Sequence, residues 1–260
     1  STVQSIVKAI EDAELMAGSE VANVFVNVSG LHMKGENSKG VVAVASRNRT
    51  ITHAEIKRVI EAAQAVVIPS DREILHVLSK EFSVDDQSGI KDPIGMSGVR
   101  LEAEVHIVTA ARASVQNLFK SVARAGFQCS DAVFSPLASA EAALAKDEKE
   151  LGVALVDIGG GKTDILVYAD GGVSYSAVLG VGGIHVTSDI SIVMRTPIDS
   201  AESIKKKHGC ALVDLVDPSE SIEVPMVGGR APQRRFRQEL AQIIEPRMME
   251  LMELIDHELL

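Results

Sequence analysis

Two spacings of apolar residues alternate along the chain. A period of two marks strands in "VANVFVNVSG" (21–30), which runs into a turn at Gly30, in "GVVAVASRNRT" (40–50) and in "REILHVLSKEFSVD" (72–85). A helical period opens the chain in "STVQSIVKAIEDAEL", and Thr52 with Glu55 forms a capping box for a helix reaching to about Val66. The Gly-, Pro- and Asp-rich "DDQSGIKDPIGMSG" (85–98) reads as a loop, so residues 31–99 look like a small compact insertion.

Beyond it, "RLEAEVHIVTA" (100–110) sets Leu101, Ala103, Val105 and Ile107 on one face of a strand, leaving His106 on the less apolar face as a structural residue. A helix follows from about Ser114 to Ala125, closed by Gly126. The strand "CSDAVF" (129–134) and a helix from about Pro136 complete a βαβα unit, whose crossovers favour a sheet covered by helices. "KDEKE" (146–150) reads as a lobe boundary or a solvated loop.

Three strands then come in close succession, "VALVD" (153–157), "DILVY" (164–168) and "VSYSAVL" (173–179), joined by the turns GGGKT and DGG as in an antiparallel meander. After "GVGG" (180–183) the pattern predicts a helix near Ile190, then a short helix in "DSAESIKKKHG" (199–209) capped by Ser200 and ended by Gly209. A strand, a glycine-rich basic turn and a long helix fill the remainder. Both ends break off within helical patterns, without an initiator Met or a Gly or Pro stop, so further elements are expected on each side.

Composition narrows the classes. The 260 residues are 46% hydrophobic but 3% aromatic, without Trp, which suits an Ala/Val/Ile/Leu-packed α/β interior of more than one lobe. The formal charge, 26 − 36 = −10, opposes a role in gripping nucleic acid. Cys129 and Cys210 lack CxxC spacing and read as small buried residues in a reducing compartment. No apolar run approaches the roughly 20 residues that span a bilayer. The seven histidines show no HxxxH or HExxH spacing, and no GxSxG elbow occurs.

The chemistry concentrates in "GVALVDIGGGKTDILVY" (152–168), where a strand stops at Asp157, turns through three glycines and resumes as a strand. It is not a P-loop: GxxxxGK[ST] needs glycine where Val156 stands, and a strand follows instead of a helix. A Rossmann turn fails for the same reason. Glycines are tolerated in such a run where φ is positive or a backbone is closely approached. The residues alone leave two readings open, a structural hairpin, or a turn whose amides face an anion while Asp157 reaches it through a hydrated cation.

"DIGGGKTDI" resembles the second phosphate loop of the actin and heat-shock chaperone ATPase superfamily, "GVGGIHVTSDI" its next glycine turn, and "AESIKKKHGCA" the helix that flanks ribose and adenine. With "ELMAG", "SGLHM", "GIKDPIGMSGVRLEAEVHIVT", "VPMVGGR" and "IIEPRMMEL", nearly the whole chain is similar to the FtsA family of bacterial cell-division proteins. The resemblance implies an α/β, actin-like fold of two RNase-H-like lobes with an inserted subdomain. Its parts are a first-lobe core at 1–30 and 100–150, the insertion at 31–99, a second-lobe core at 151–195 and a second-lobe subdomain at 196–260. It implies binding of ATP and Mg with weak or no hydrolysis, self-association into filaments, and a place on the cytoplasmic face of the bacterial cell membrane at the division septum. Its partners would be the FtsZ C-terminal tail, later division proteins through 31–99, and the membrane through a C-terminal helix outside this chain. Without the family's first phosphate loop and adenosine glycines, the 260 residues alone should bind nucleotide poorly.

Carried onto this sequence, Asp157 would order water around Mg, and Gly159, Gly160, Gly161 and Thr163 would cradle phosphates. Lys162 departs from the small neutral residue expected there; it would meet the phosphates as a point charge or extend to solvent. Asp164 would stabilise the turn. Gly182 and Gly183 precede a helix N-terminus, a natural anion site. Glu202 lies at i, i+3 from Lys205 and i, i+4 from Lys206, an ordinary ion pair by spacing and a nucleoside contact by resemblance. In "GRAPQRRFRQE" the cluster of Arg230, Arg234, Arg235 and Arg237 would receive the FtsZ tail, or form a solvated basic loop. A sugar or acetate kinase of the same superfamily and an FtsA-like pilus-assembly ATPase are the competing functions.

Overall fold

The computed structural model describes residues 2–46 and 48–260. Ser1 of the opening helical pattern and Arg47 of the strand expected at 40–50 lie outside them. The chain divides into two compact units, Ser1–Val156 with Asp164–Val178, and Asp157–Thr163 with Leu179–Leu260. The elements of the first are α1 (Thr2–Ala17), β1 (Asn23–Val28), β2 (Lys34–Ala43), α2 (His53–Ala63), β3 (Arg72–Val84), β4 (Gln87–Ile90), β5 (Arg100–Ala111), α3 (Arg112–Arg124), β6 (Gln128–Phe134), α4 (Ser135–Ala143) and α5 (Lys146–Leu151). Strands β7 (Val153–Ile158), β8 (Thr163–Ala169) and β9 (Gly172–Leu179) follow as one three-stranded sheet in that order. Connections this short join antiparallel neighbours, since a parallel crossover needs about a dozen residues.

The larger sheet runs β2-β5-β3-β4, with β5 antiparallel to both β2 and β3. Leu101, Ala103, Val105 and Ile107 are all but fully buried and meet Val59 and Ala63 of α2 and Phe82 and Val84 of β3. Fully burying each Leu, Ile or Val contributes about 1.5–3 kcal/mol, so this face anchors the sheet. Helix α2 starts on the expected capping box, with Ala54 N–H donating to Thr52 Oγ1 at 3.3 Å and Thr52 N–H to Glu55 at 3.2 Å. It ends at Ala63, short of Val66. A Cβ on Gly40 would sit 2.2 Å from Val59 O and 2.5 Å from Ala63 N, so glycine here lets α2 lie directly on the strand.

Several expectations are corrected. The presumed βαβα unit does not share one sheet: β6 pairs in parallel with β1, from Asn23↔Gln128 to Val28↔Phe134, while β5 is the centre of the other sheet. Periodicity reports which face of a strand is buried but not which strand lies beside it. The first half of β2, "KGENSK", is a strand the hydrophobic pattern missed because an edge position leaves it mostly exposed. Within the expected loop 85–98, Gln87–Ile90 pairs with β3. "KDEKE" opens the short helix α5 instead of forming a loop. The predicted stop at Gly126 holds: its φ is 95°, with Gly126 N–H bonded to Ala123 O at 3.1 Å and Phe127 N–H to Val122 O at 3.2 Å, a Schellman ending.

The second unit comprises α6 (Gly183–Met194), α7 (Ile198–His208), β10 (Ser221–Val224), β11 (Gln233–Phe236) and α8 (Arg237–Leu259). Ile190, Ala201, Val224, Leu240 and Ile244 form its core. Helix α7 begins behind Pro197, so Ser200 sits inside the helix and is not its cap. The basic segment expected as a turn contains β11, antiparallel to β10 with Glu223↔Arg234 in register. No helix among the described residues is long and apolar enough to cross a membrane.

Candidate functional site

The turn between β7 and β8 closes with Gly159 N–H donating to Lys162 O at 2.9 Å. Against it lies the start of α6: Gly183 N–H donates to Gly159 O at 3.0 Å and Ile184 N–H to Gly160 O at 2.7 Å. The first amides of a helix have no partner inside it, and here the turn's carbonyls supply one. The helix start therefore differs from the open anion site expected at Gly182 and Gly183. These two residues form the floor beneath the turn. A Cβ on Gly182 would fall 2.6 Å from Gly159 O, 2.7 Å from Lys162 N and 2.9 Å from Gly160 O, which explains its glycine by close approach.

Gly160 and Gly161 are different. Neither has positive φ, a Cβ on either would meet nothing within 4 Å, and neither amide donates to a backbone carbonyl. Among the described residues no strain or crowding accounts for glycine at these two positions, and neither N–H has a backbone acceptor there. Asp157 lies one residue before the end of β7, and Lys162 closes the turn.

Thr163 departs from its expected role. Its side chain is fully buried and its hydroxyl donates to Val181 O at 2.8 Å, bracing one glycine turn against the other. Asp164 is buried and accepts a hydrogen bond from the Ser29 hydroxyl, a partner outside the turn it was expected to stabilise.

Glu202 and Lys205 on α7 reach α6. Lys205 Nζ contacts Glu202 at 2.7 Å, Thr187 Oγ1 at 2.8 Å and Gly183 O at 3.0 Å, which accounts for its three protons. Thr187 donates to Glu202 at 2.5 Å, and Lys206 pairs with the other carboxylate oxygen at 3.2 Å. The Lys205 hydrogen bond, followed by that of Thr187, holds the Glu202 carboxyl down at about 2. This network fixes α7 to the first turn of α6 and so supports the glycine floor. Lys206 is mostly exposed, with 72% of its side chain accessible.

Sequence reasoning missed two contributors. Thr187 is buried, four residues after Gly183 and in hydrogen-bond reach of its carbonyl. His185 Nδ1 accepts from Gly182 N–H at 3.1 Å, the spacing at which a Glu or Gln would complete a capping box.

The arginine cluster separates into two kinds. Arg234 and Arg235, on exposed β11, line a depression of about 320 Å³ with Ser219, Ser221 and Phe236. Arg234 Nε donates to Ser221 Oγ at 2.6 Å, and Arg235 reaches Glu239 at 3.4 Å. Arg237 instead ties the start of α8 to the His208 carbonyl at 2.9 Å and to Glu220.

An α/β chain with a glycine hairpin seated on a helix start and an inserted four-stranded sheet has the actin-like ATPase fold with the FtsA-type insertion. The PilM-PilN type IV pilus biogenesis complex aligns at a TM-score of 0.62 over 96% of this chain and 61% of that one, with 15% identity, a likeness of fold alone. MreB5 of Spiroplasma citri, in a crystal structure bound to ADP, aligns at 0.46 with 22% identity over 57% of this chain and 47% of that one. The model of the SHS2 domain inserted in FtsA matches residues 30–109, and that of cell division protein FtsA matches 154–257. Cell division protein FtsA of Pseudomonas aeruginosa is 48% identical over 259 residues, 100% of this chain and 62% of that protein. The chain belongs to the FtsA family of cell-division proteins. It spans about three-fifths of the length of the curated relatives it matches.

Proposed function

We propose that this chain is part of an ATP-binding cell-division scaffold that links FtsZ filaments to the cytoplasmic membrane and recruits later division proteins. The observation that carries the nucleotide reading is the pair Gly160 and Gly161, open where a side chain would stand and not accounted for by packing among the described residues. A phosphate needs bare backbone and inward-pointing amides at close range, and a side chain at either position would obstruct it. In this reading Gly159, Gly160 and Gly161 cradle the phosphates, with Lys162 adding a point charge. Gly182 and Gly183 hold the turn from below. Asp157 would hold a magnesium ion through the ion's bound water, and the ion would neutralise part of the phosphate charge. Glu202 and Lys205 keep α7 against α6, with Lys206, paired to Glu202 at the surface, exchanging that contact for one to the nucleoside.

Partners follow from exposed chemistry. Arg234 and Arg235 beside Phe236, 55% exposed, would suit an acidic peptide with an apolar anchor, as the FtsZ tail is expected to supply. The inserted sheet of residues 31–99 with β5 would serve as the recruitment module, and filament formation and septal localisation come with the family. A pilus-assembly role rests on a fold likeness at 15% identity and gains no site-level support.

The test is the double variant Gly160→Ala/Gly161→Ala in the polypeptide extended to its relatives' length. Because the added methyls meet nothing, stability should stay within about 0.5 kcal/mol, while affinity for MgATP by calorimetry falls about tenfold or more. Unchanged affinity would reject the phosphate-loop assignment.

A further inference from the structure

A second face of α7 meets β10 across a cavity of about 200 Å³ that neither the nucleotide reading nor the arginine cluster uses. Ser200, Ser203 and Lys207, at i, i+3 and i+7, line it from the helix together with buried Ile204. Glu223 of β10 and Pro225 just beyond that strand line it from the other side, and His208 stands at the end of the helix wall.

The charges on the two walls have no partners within the chain. Lys205 and Lys206 occupy the two oxygens of Glu202, which leaves Lys207 without a carboxylate on its own helix. Glu223 stands across the ladder from Arg234, but Arg234 Nε donates to Ser221 Oγ at 2.6 Å instead. Neither Lys207 nor Glu223 forms an ion pair with any described residue, and the Ser200 and Ser203 hydroxyls bond to none. Opposite charges that line one cavity without reaching each other leave room for a ligand between them.

We propose that this cavity binds a free α-amino acid with a small side chain, its carboxylate on Lys207 and the Ser203 hydroxyl and its ammonium on Glu223. Size and charge together select this class. The volume lies below the roughly 300–1,000 Å³ of pockets that take drug-sized molecules, so the ligand has few atoms. A simple anion would face Glu223 and a simple cation would face Lys207, whereas one molecule carrying both charges satisfies both walls through charge-assisted hydrogen bonds. Ile204 and Pro225 offer apolar contact to a methyl-sized side chain. The inference is independent of the nucleotide site.

The probe is L-alanine titrated into the isotope-labelled 260-residue chain and read by NMR from the amide resonances of Ser203, Lys207 and Glu223. N-acetylalanine, which keeps the carboxylate alone, and alanine methyl ester, which keeps the ammonium alone, are the controls. Alanine should move these resonances saturably with a Kd of about 1 mM or lower, and each control should bind about tenfold or more weakly. Glu223→Gln should weaken alanine about tenfold without weakening N-acetylalanine, and Lys207→Gln should weaken alanine about tenfold without weakening the methyl ester. Lys57→Gln with Glu61→Gln, an exposed pair on α2, should change alanine binding less than about twofold. Circular dichroism confirms that the variants fold. Shifts that grow without saturating, or equal affinity for alanine and its single-charge analogues, would overturn the proposal. So would sedimentation showing a dimer that Lys207→Gln abolishes, because the two charges would then serve a second copy of the chain.

Discussion

Protonating His106 should unlock the first unit. The imidazole sits on β5 at 1% exposure, with Nδ1 2.7 Å from Asn37 Oδ1 and Nε2 2.8 Å from Ser176 Oγ. Asn37 Nδ2 in turn donates to Ser174 O at 2.9 Å, so His106 ties β2 and β5 to alternate residues of β9. An amide oxygen only accepts, so Nδ1 carries the proton and Nε2 accepts from the serine hydroxyl. Burial pushes the pKa from 6.5 down to about 4. Because the folded value lies below the unfolded one, the unfolded chain binds the proton more readily. The stability is present in full above 6.5 and lost as pH falls towards 4. Linkage over that interval gives a loss of about 2 kcal/mol by pH 5 and about 3 kcal/mol by pH 4. The assay is urea unfolding followed by tyrosine fluorescence, since both tyrosines, Tyr168 and Tyr175, belong to the first unit and the chain has no Trp. His106→Gln keeps a polar side chain that does not titrate, and comparison with it cancels other groups such as His76, whose pKa burial also lowers. The native chain should lose about 2 kcal/mol more than the variant between pH 7.5 and pH 5. Parallel pH profiles would refute the reasoning.

Other outcomes follow from the second unit. Gly182→Ala sets a methyl within 3 Å of three backbone atoms, so it should cost about 1–3 kcal/mol by calorimetry, whereas the open Gly161→Ala should cost little. Glu202→Gln removes a carboxylate held at about 2; the stability it gives is present above the usual 4.5 and lost as pH falls through 2, so the variant's acid unfolding profile should flatten there. In the longer polypeptide Glu202→Ala should weaken ATP binding by loosening α7, and unchanged affinity would detach that network from the site. Arg234→Glu with Arg235→Glu should reduce affinity for an FtsZ tail peptide about tenfold, and intact binding would move that site elsewhere. Arg237 is unsuited to this test because it braces α8 against Glu220 and His208.

Much of this architecture is legible in local pattern. The buried face of β5, the Thr52 box, the Gly126 stop and the strand-turn-strand at Asp157 all follow from spacing and backbone chemistry that act within a few residues. What was not legible is set by distant partners. The polar half of β2 is a strand because β5 pairs with it, and β11 is one because β10 does. The site shows the same division. The glycine run announces itself, yet only the fold shows that Gly182 is crowded while Gly160 and Gly161 are open. Thr163 looks like a donor for a ligand until its hydroxyl is found bonded to Val181 O. The Glu202–Lys205 spacing promises an ion pair but gives no hint that it secures the floor of the turn.

The most direct measurement is a crystal structure of the polypeptide at its relatives' length, grown with magnesium and a non-hydrolysable ATP analogue. Phosphate oxygens should lie about 3 Å from the amide nitrogens of Gly160 and Gly161, with a magnesium-bound water on Asp157. Nucleotide bound elsewhere, or that hairpin closed over by side chains of its own chain, would contradict the account.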